Sequence, residues 1–246
     1  MTLERMTAQL KAAYGRGLRA VVLYGSAARD GAAGDAPPRG GYDLLVVVEA
    51  LGMDELRRVA PTTRAWIEAG NRAPLTLTAL EWRASADVFP MEYADVLDAH
   101  RVLAGALPLE GIAVDRRDLR RQLEHQTLGA LLQLRAGVLA SGNDANRLLA
   151  LLEASRSTIL VLFRTLARLH GAPASADPTA LAEWAGTAAG FDAAPFVRVI
   201  AHAAAGTTAR AVRLAAPDAG TVLTGYLVGL ERLLAHVDAA GIGPAS

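Results

Sequence analysis

The chain has no cysteine among its 246 residues. That absence excludes disulfide frameworks, thiolate zinc sites and cysteine nucleophiles together, and it fits a reducing compartment. Lysine is almost absent too: Lys11 stands alone among 25 Lys plus Arg residues. An excess of either charge is missing, since 25 basic residues face 25 acidic ones. The basic residues form no stripe, which argues against a nucleic-acid partner. Long apolar runs are missing as well. The run "ILVLF" lies between Arg156 and Arg164, far short of the ~20 residues that span a bilayer. The opening "MTLERMTAQLKAAYGRG" is too polar for a signal peptide. The expectation is a cytoplasmic protein with no membrane partner.

What is present is a large apolar fraction, 52%, in a chain long enough for one large domain or two ordinary ones. The first part reads as mixed α and β. Residues 2–14 suit an amphipathic helix. "LRAVVLYG" (18–25) and "YDLLVVVE" (42–49) are β-branched runs with strand character. A helix is expected over 53–69, burying Leu56, Val59, Trp66 and Ile67. "APLTLTAL" (73–80) alternates Leu and Thr, so a third strand would bury Leu75 and Leu77 and present Thr76 and Thr78 on its other face.

From about residue 115 the apolar period becomes helical. Leu119, Leu123, Leu131, Leu134 and Val138 mark one helix, and residues 145–170 a second. The second is apolar nearly all round its middle, which places it centrally in a bundle. Asp177-Pro178 starts a third helix, with Asp as N-cap and Pro in the first turn. Phe196, Val199, Ile200 and Ala203 mark a fourth, and "TVLTGYLVGLERLLAHV" is the fifth. The predicted class is α+β: a mixed-sheet domain over 1–112 followed by an all-α helical bundle over 113–246.

Chemistry concentrates in "LYGSAARDGAAGDAPPRGGYDLLVVV", Leu23 to Val48. Gly25-Ser26 closes the first strand, and Asp43 opens the second. Glycine there lets backbone approach a phosphate, and Ser26 with the N–H groups that follow can donate to it. A carboxylate on the neighbouring strand is a hard oxygen ligand of the kind Mg²⁺ prefers. Side chains at i and i+2 of a strand point the same way, so a second carboxylate at residue 41 would share Asp43's face. The residue there is Gly41.

"LYGSAAR", a loop, then "YDLLVVV" resembles the nucleotidyltransferase fold of the DNA polymerase β-like superfamily. There the pattern is strand-Gly-Ser, a short helix, then Asp-x-Asp opening the next strand, with a third carboxylate from a later strand. "PLTLTALEWRASADVFPMEYADVLDAHRVLAG" is similar to the third strand and following helix of bacterial members, including aminoglycoside nucleotidyltransferases, whose helical second domain residues 115–240 also fit. The resemblance implies transfer of a nucleoside monophosphate from a nucleoside triphosphate to a small-molecule acceptor, with the ligands in the cleft between the domains. It gives phosphate contacts to Gly25, Ser26 and Arg29, and Mg²⁺ and catalysis to Asp43.

The chain departs from that pattern. Gly41 replaces the first aspartate, and Thr76 and Thr78 stand where the third carboxylate is expected. A replacement ligand would have to come from Asp30, Asp35 or Glu92; Glu92 belongs to the cluster Asp87, Glu92, Asp95 and Asp98 and, with Thr76 and Thr78, is a substrate-facing candidate. Glu49 shares strand parity with Asp43, but six residues at ~3.3 Å each put it roughly 20 Å away. A degenerate metal site is therefore expected, with weak use of Mg²⁺. The alternative is a catalytically inactive homologue that binds nucleotide or a protein partner. In the helical part, "RTLARLH" has an Arg-x5-His spacing that resembles the ribonuclease motif of HEPN domains. "RVIAH" and "RLLAH" also pair Arg with His at helix ends, where a cation is stabilised without any catalysis.

Overall fold

A computed structural model describes residues 1–29, 41–173, 175, 177–204 and 214–240. The chain divides into two compact units, Met1–Asp115 and Arg116–Ser246. The first carries a four-stranded mixed sheet in the order β3-β2-β1-β4, with β1 Leu18–Tyr24, β2 Asp43–Val48, β3 Leu75–Thr78 and β4 His100–Gly105. β1 runs antiparallel to β2 and β4, and β2 runs parallel to β3.

Strand periodicity assigns the two faces of the sheet. Val21, Leu23, Leu44, Val46 and Val48 pack on one face with Leu3, Met6 and Leu10 of α1 (Leu3–Tyr14) and Val59 and Trp66 of α3 (Met53–Glu68). Ala20, Val22, Leu45 and Val47 pack on the other with Trp82 of α4 (Ala79–Ala84) and Tyr93 and Val96 of α5 (Pro90–Asp98). The Trp82 and Tyr93 rings stack 4.2 Å apart, and the Tyr93 hydroxyl donates to the Trp82 carbonyl at 2.6 Å. Between β1 and β2 lies the short helix α2 (Ser26–Arg29).

Three expectations change here. Leu56 and Ile67 are exposed, at 44% and 47%: α3 meets the sheet and α1, so only a narrow stripe through Val59 and Trp66 is covered. The third strand shortens to Leu75–Thr78, because Thr78 accepts the Glu81 N–H and starts α4. "HRVLAG", read with the preceding helix, is the edge strand β4. Arg101 and Val102 are exposed there, so no buried apolar run announced it; pairing with β1 defines the strand.

The second unit holds α6 (Arg116–Ser141), α7 (Ala145–Leu169), α8 (Pro178–Ala189), α9 (Ala194–Ala204) and α10 (Ala219–Ala239). Asp144 and Asp177 cap α7 and α8 through their carboxylates. α7 touches the other four helices, which explains why it is apolar on nearly every side. Phe163 of α7 meets Phe196 edge to face at 5.2 Å, and Phe196 stacks on Tyr226 at 4.2 Å. Tyr226 is fully buried, and burial pushes its phenol up to about 12. No helix among the described residues is long and apolar enough to cross a membrane.

Two glycines of α10 predict opposite signs of stability change. A Cβ on Gly229 would lie 2.4 Å from Phe196 Cε2, while one on Gly220 meets nothing within 4 Å. Gly229→Ala should cost roughly 1–3 kcal/mol by overpacking. Gly220→Ala should stabilise by about 0.5–1 kcal/mol through helix propensity. Urea unfolding of the full chain, followed by helical circular dichroism, measures both.

Candidate active site at the β1–α2 elbow

The apolar run of β1 ends at Tyr24, and Gly25 turns the chain into α2 with φ +74°. Tyr24 pairs with Asp43 across the sheet. A Cβ on Gly25 would lie 3.3 Å from Asp43 Oδ2, so the missing side chain is what lets the carboxylate rest against the elbow. The start of α2 leaves the N–H groups of Ser26 and Ala27 without acceptors inside the helix. Gly25 and Asp43 are thus brought together, and Ser26 follows Gly25 as the first residue of α2.

The other carboxylate oxygen of Asp43 is engaged. Arg72 Nη1 donates to Oδ1 at 3.2 Å. Arg72 is placed by the turn after α3, whose centre is the buried Asn71. Asn71 Oδ1 accepts the Tyr42 N–H at 3.1 Å, and its Nδ2 donates to the Trp66 carbonyl at 3.2 Å. Trp66 Nε1 donates to the Arg72 carbonyl at 2.9 Å, and the Trp66 ring stacks on Tyr42 at 5.9 Å. Residues 41–43 and 70–72 therefore form one hydrogen-bonded unit.

That unit explains the glycine at 41. Gly41 precedes β2 and has φ +79°, so the i, i+2 rule of an extended strand does not reach it. A Cβ there would lie 2.7 Å from Asn71 Cα and 2.9 Å from the Gly70 carbonyl oxygen.

Thr76 and Thr78 do not line this site. Leu75 and Leu77 stand beside Leu45 and Val47, on the face that carries Asp43, whereas Thr76 and Thr78 stand beside Val46 and Val48 on the opposite face. Thr76 donates to the Pro74 carbonyl at 3.4 Å, and Thr78 caps α4. The parallel register of β2 and β3 decides this, and one strand's own alternation does not contain it.

Along Asp43's face runs a polar row of three paired residues: Asp43, Tyr24 and His100. Burial raises the Tyr24 phenol far above its ordinary value. The negative charges of Asp43, Glu92 and Asp95 add to the rise, and Arg72 opposes it. The phenol is therefore a neutral donor at all physiological pH. His100 Nδ1 lies 2.7 Å from the Val96 carbonyl. A carbonyl only accepts, so Nδ1 carries the proton and the neutral ring keeps its lone pair on Nε2. Arg29 points to α5: its guanidinium pairs with Asp95 at 3.0 Å and Asp98 at 3.2 Å, with 14% of the side chain exposed.

Among the described residues no group of three or more His, Asp or Glu side chains could hold a metal ion. Asp30 and Asp35 lie outside those residues. Asp43 is shared with Arg72, Gly41 has no room for an aspartate, and the neighbouring strand offers Leu75 and Leu77. These residues do not fit a two-Mg²⁺ centre, whose ions need several carboxylates. Sequence reasoning missed Arg72, Asn71, Tyr24 and His100. Tyr24 was within reach, since it ends the same strand as the motif; the other three depend on pairings across the fold.

The fold is that of the nucleotidyltransferases. The chain is similar to the crystal structure of spectinomycin adenyltransferase AAD(9) from Enterococcus faecialis, solved with ATP and spectinomycin, with a TM-score of 0.57 and 13% identity over 93% of this chain and 98% of that one. The sequence matches no protein-family model and no curated protein.

Restoring an aspartate at residue 41 should damage the fold before it helps a metal. Gly41→Asp is expected to destabilise by roughly 2–4 kcal/mol, from left-handed strain plus overlap with the 70–72 backbone. Gly111, at φ +76° with nothing within 4 Å, supplies the control: Gly111→Asp should carry the strain alone and cost less. Urea midpoints of the two variants test the difference.

Proposed function

We propose that the chain is a nucleotidyltransferase-like protein that binds a nucleoside triphosphate at the β1–α2 elbow and has a degenerate metal site. The phosphates lie against Gly25 and Ser26, and among the described residues Asp43 is the carboxylate that rests on the elbow. Support comes from the contact between the Gly25 elbow and the Asp43 carboxylate, the spacing at which a Cβ would reach 3.3 Å. In transfer, an acceptor hydroxyl oxygen would bond to the α-phosphorus as the bond to pyrophosphate breaks, and the hydroxyl proton would leave to a base. The small-molecule acceptor is proposed by analogy with the spectinomycin bound in the similar structure. Arg29 acts here by fixing α5 through Asp95 and Asp98, with Glu92 on the same helix.

A second reading, a non-catalytic nucleotide-binding protein, is favoured by one observation: Arg72 already pairs with the Asp43 carboxylate, at 3.2 Å. The two readings share the binding step and differ in turnover. A single carboxylate offsets little of a divalent charge, so transfer should be slow on the first reading and absent on the second.

Calorimetry tests the binding step that both readings share, and release of pyrophosphate separates them. ATP should bind weakly, and Mg²⁺ should strengthen binding by less than about tenfold. Arg72→Ala should enlarge the Mg²⁺ effect by freeing Asp43, and Asp43→Asn should remove it. A strong, saturable Mg²⁺ requirement with rapid pyrophosphate release in the wild-type protein would overturn the degenerate site. No ATP binding with or without Mg²⁺ would overturn the nucleotide reading itself.

A further inference from the structure

The histidines at the ends of "RTLARLH" and "RLLAH" meet. His170 caps the C-terminus of α7, and His236 lies in the last turn of α10. Their ε-nitrogens are 2.9 Å apart. The ring centroids are 5.1 Å apart and the planes differ by 20°, so the rings face each other nearly edge to edge. One ε-nitrogen donates and the other accepts. The third such histidine, His202, instead bonds Glu153 at 2.6 Å. Of the pair, His170 is exposed and His236 half-buried, so the pair is open to solute.

We propose that His170 and His236 form a two-imidazole site for a divalent transition ion, with Cu²⁺ preferred. Imidazole nitrogen is the ligand such ions select, and the two side chains come from separate helices that the ion would tie together. With metal–nitrogen bonds near 2.05 Å, nitrogens 2.9 Å apart subtend about 90° at the ion. That is close to the cis angle of tetragonal Cu²⁺ and Ni²⁺, and Cu²⁺ ranks first because divalent affinity for nitrogen ligands peaks at copper. Binding shifts the shared proton to a δ-nitrogen and tilts both rings so that the two lone pairs converge, while water completes the coordination. The carbonyl ends of α7 and α10 both bring negative potential to this point.

Burial lowers the His170 pKa, and the nearby His236 and the Arg116 cation lower it further. A lowered pKa leaves the His170 ring more readily available as a neutral ligand. Arg116 is the unfavourable neighbour for an ion, so Arg116→Ala should tighten binding. Trp184, edge-on to His170 at 5.9 Å, screens one side.

The site lies wholly in the helical unit and rests on no nucleotide reading. The test titrates full-length protein with Cu²⁺, Ni²⁺, Zn²⁺ and Mg²⁺ separately, following thermal unfolding and Cu²⁺ electron paramagnetic resonance. The wild-type midpoint should rise by roughly 2–4 °C with saturating Cu²⁺, less with Ni²⁺ and Zn²⁺, and not with Mg²⁺. The spectrum should show two nitrogen ligands. His170→Ala and His236→Ala should each weaken Cu²⁺ binding by at least about tenfold, and His125→Ala, at an exposed position of α6, should not. Equal Cu²⁺ binding by the wild type and both variants would overturn the site. So would a wild-type protein whose stability responds to pH through this pair but to none of the metals; that result would leave a hydrogen-bonded clasp only.

Discussion

The two hydrogen bonds of the buried Asn71 side chain hold the sheet end together. One satisfies the Tyr42 N–H just before β2, and the other joins the end of α3. Without them the turn at 70–72 would have no fixed register against residues 41–43. With them, Gly41 is forced into close backbone contact, Tyr42 stacks on Trp66, and Arg72 reaches Asp43. Each consequence bears on chemistry. The close contact removes a place for a second carboxylate, and the arginine puts a fixed cation beside the first. A buried amide with both ends paired is costly to disturb, since losing either bond strands a polar group.

The electrostatics of the polar row follow from the same arrangement. Asp43, Glu92, Asp95 and Asp98 oppose Arg29 and Arg72, and the Tyr24 phenol feels three of those carboxylates. A triphosphate entering this field meets repulsion that two Mg²⁺ ions would normally offset. Among the described residues Arg29 and Arg72 are the cations nearby, and each is paired with a carboxylate. On the proposed reading, binding without a metal should therefore be weak.

Much of this was legible in the sequence. β1 and β2 are runs of buried β-branched residues bounded by turns, and α7 carries more apolar surface than a one-sided helix needs. Asp177-Pro178 states its own role through capping chemistry. The Gly25–Asp43 juxtaposition follows once two short strands are taken as neighbours. What failed depended on pairing between elements. β4 is exposed at Arg101 and Val102, so only its bonds to β1 make it a strand. Thr76 and Thr78 alternate correctly, yet the register against β2 turns them away from Asp43. Gly41 looked like a lost ligand two residues from Asp43; its positive φ and its contact with Asn71 are properties of the folded turn.

If Asp43 is the lone metal ligand, as among the described residues, counting ions tests it most directly. Electron paramagnetic resonance of Mn²⁺ with the protein and a non-hydrolysable ATP analogue reports both number and proximity. At most one Mn²⁺ per chain is expected, carried in by the nucleotide, with no spin coupling. A coupled Mn²⁺ pair, with ions about 4 Å apart and lost in Asp43→Asn, would contradict it.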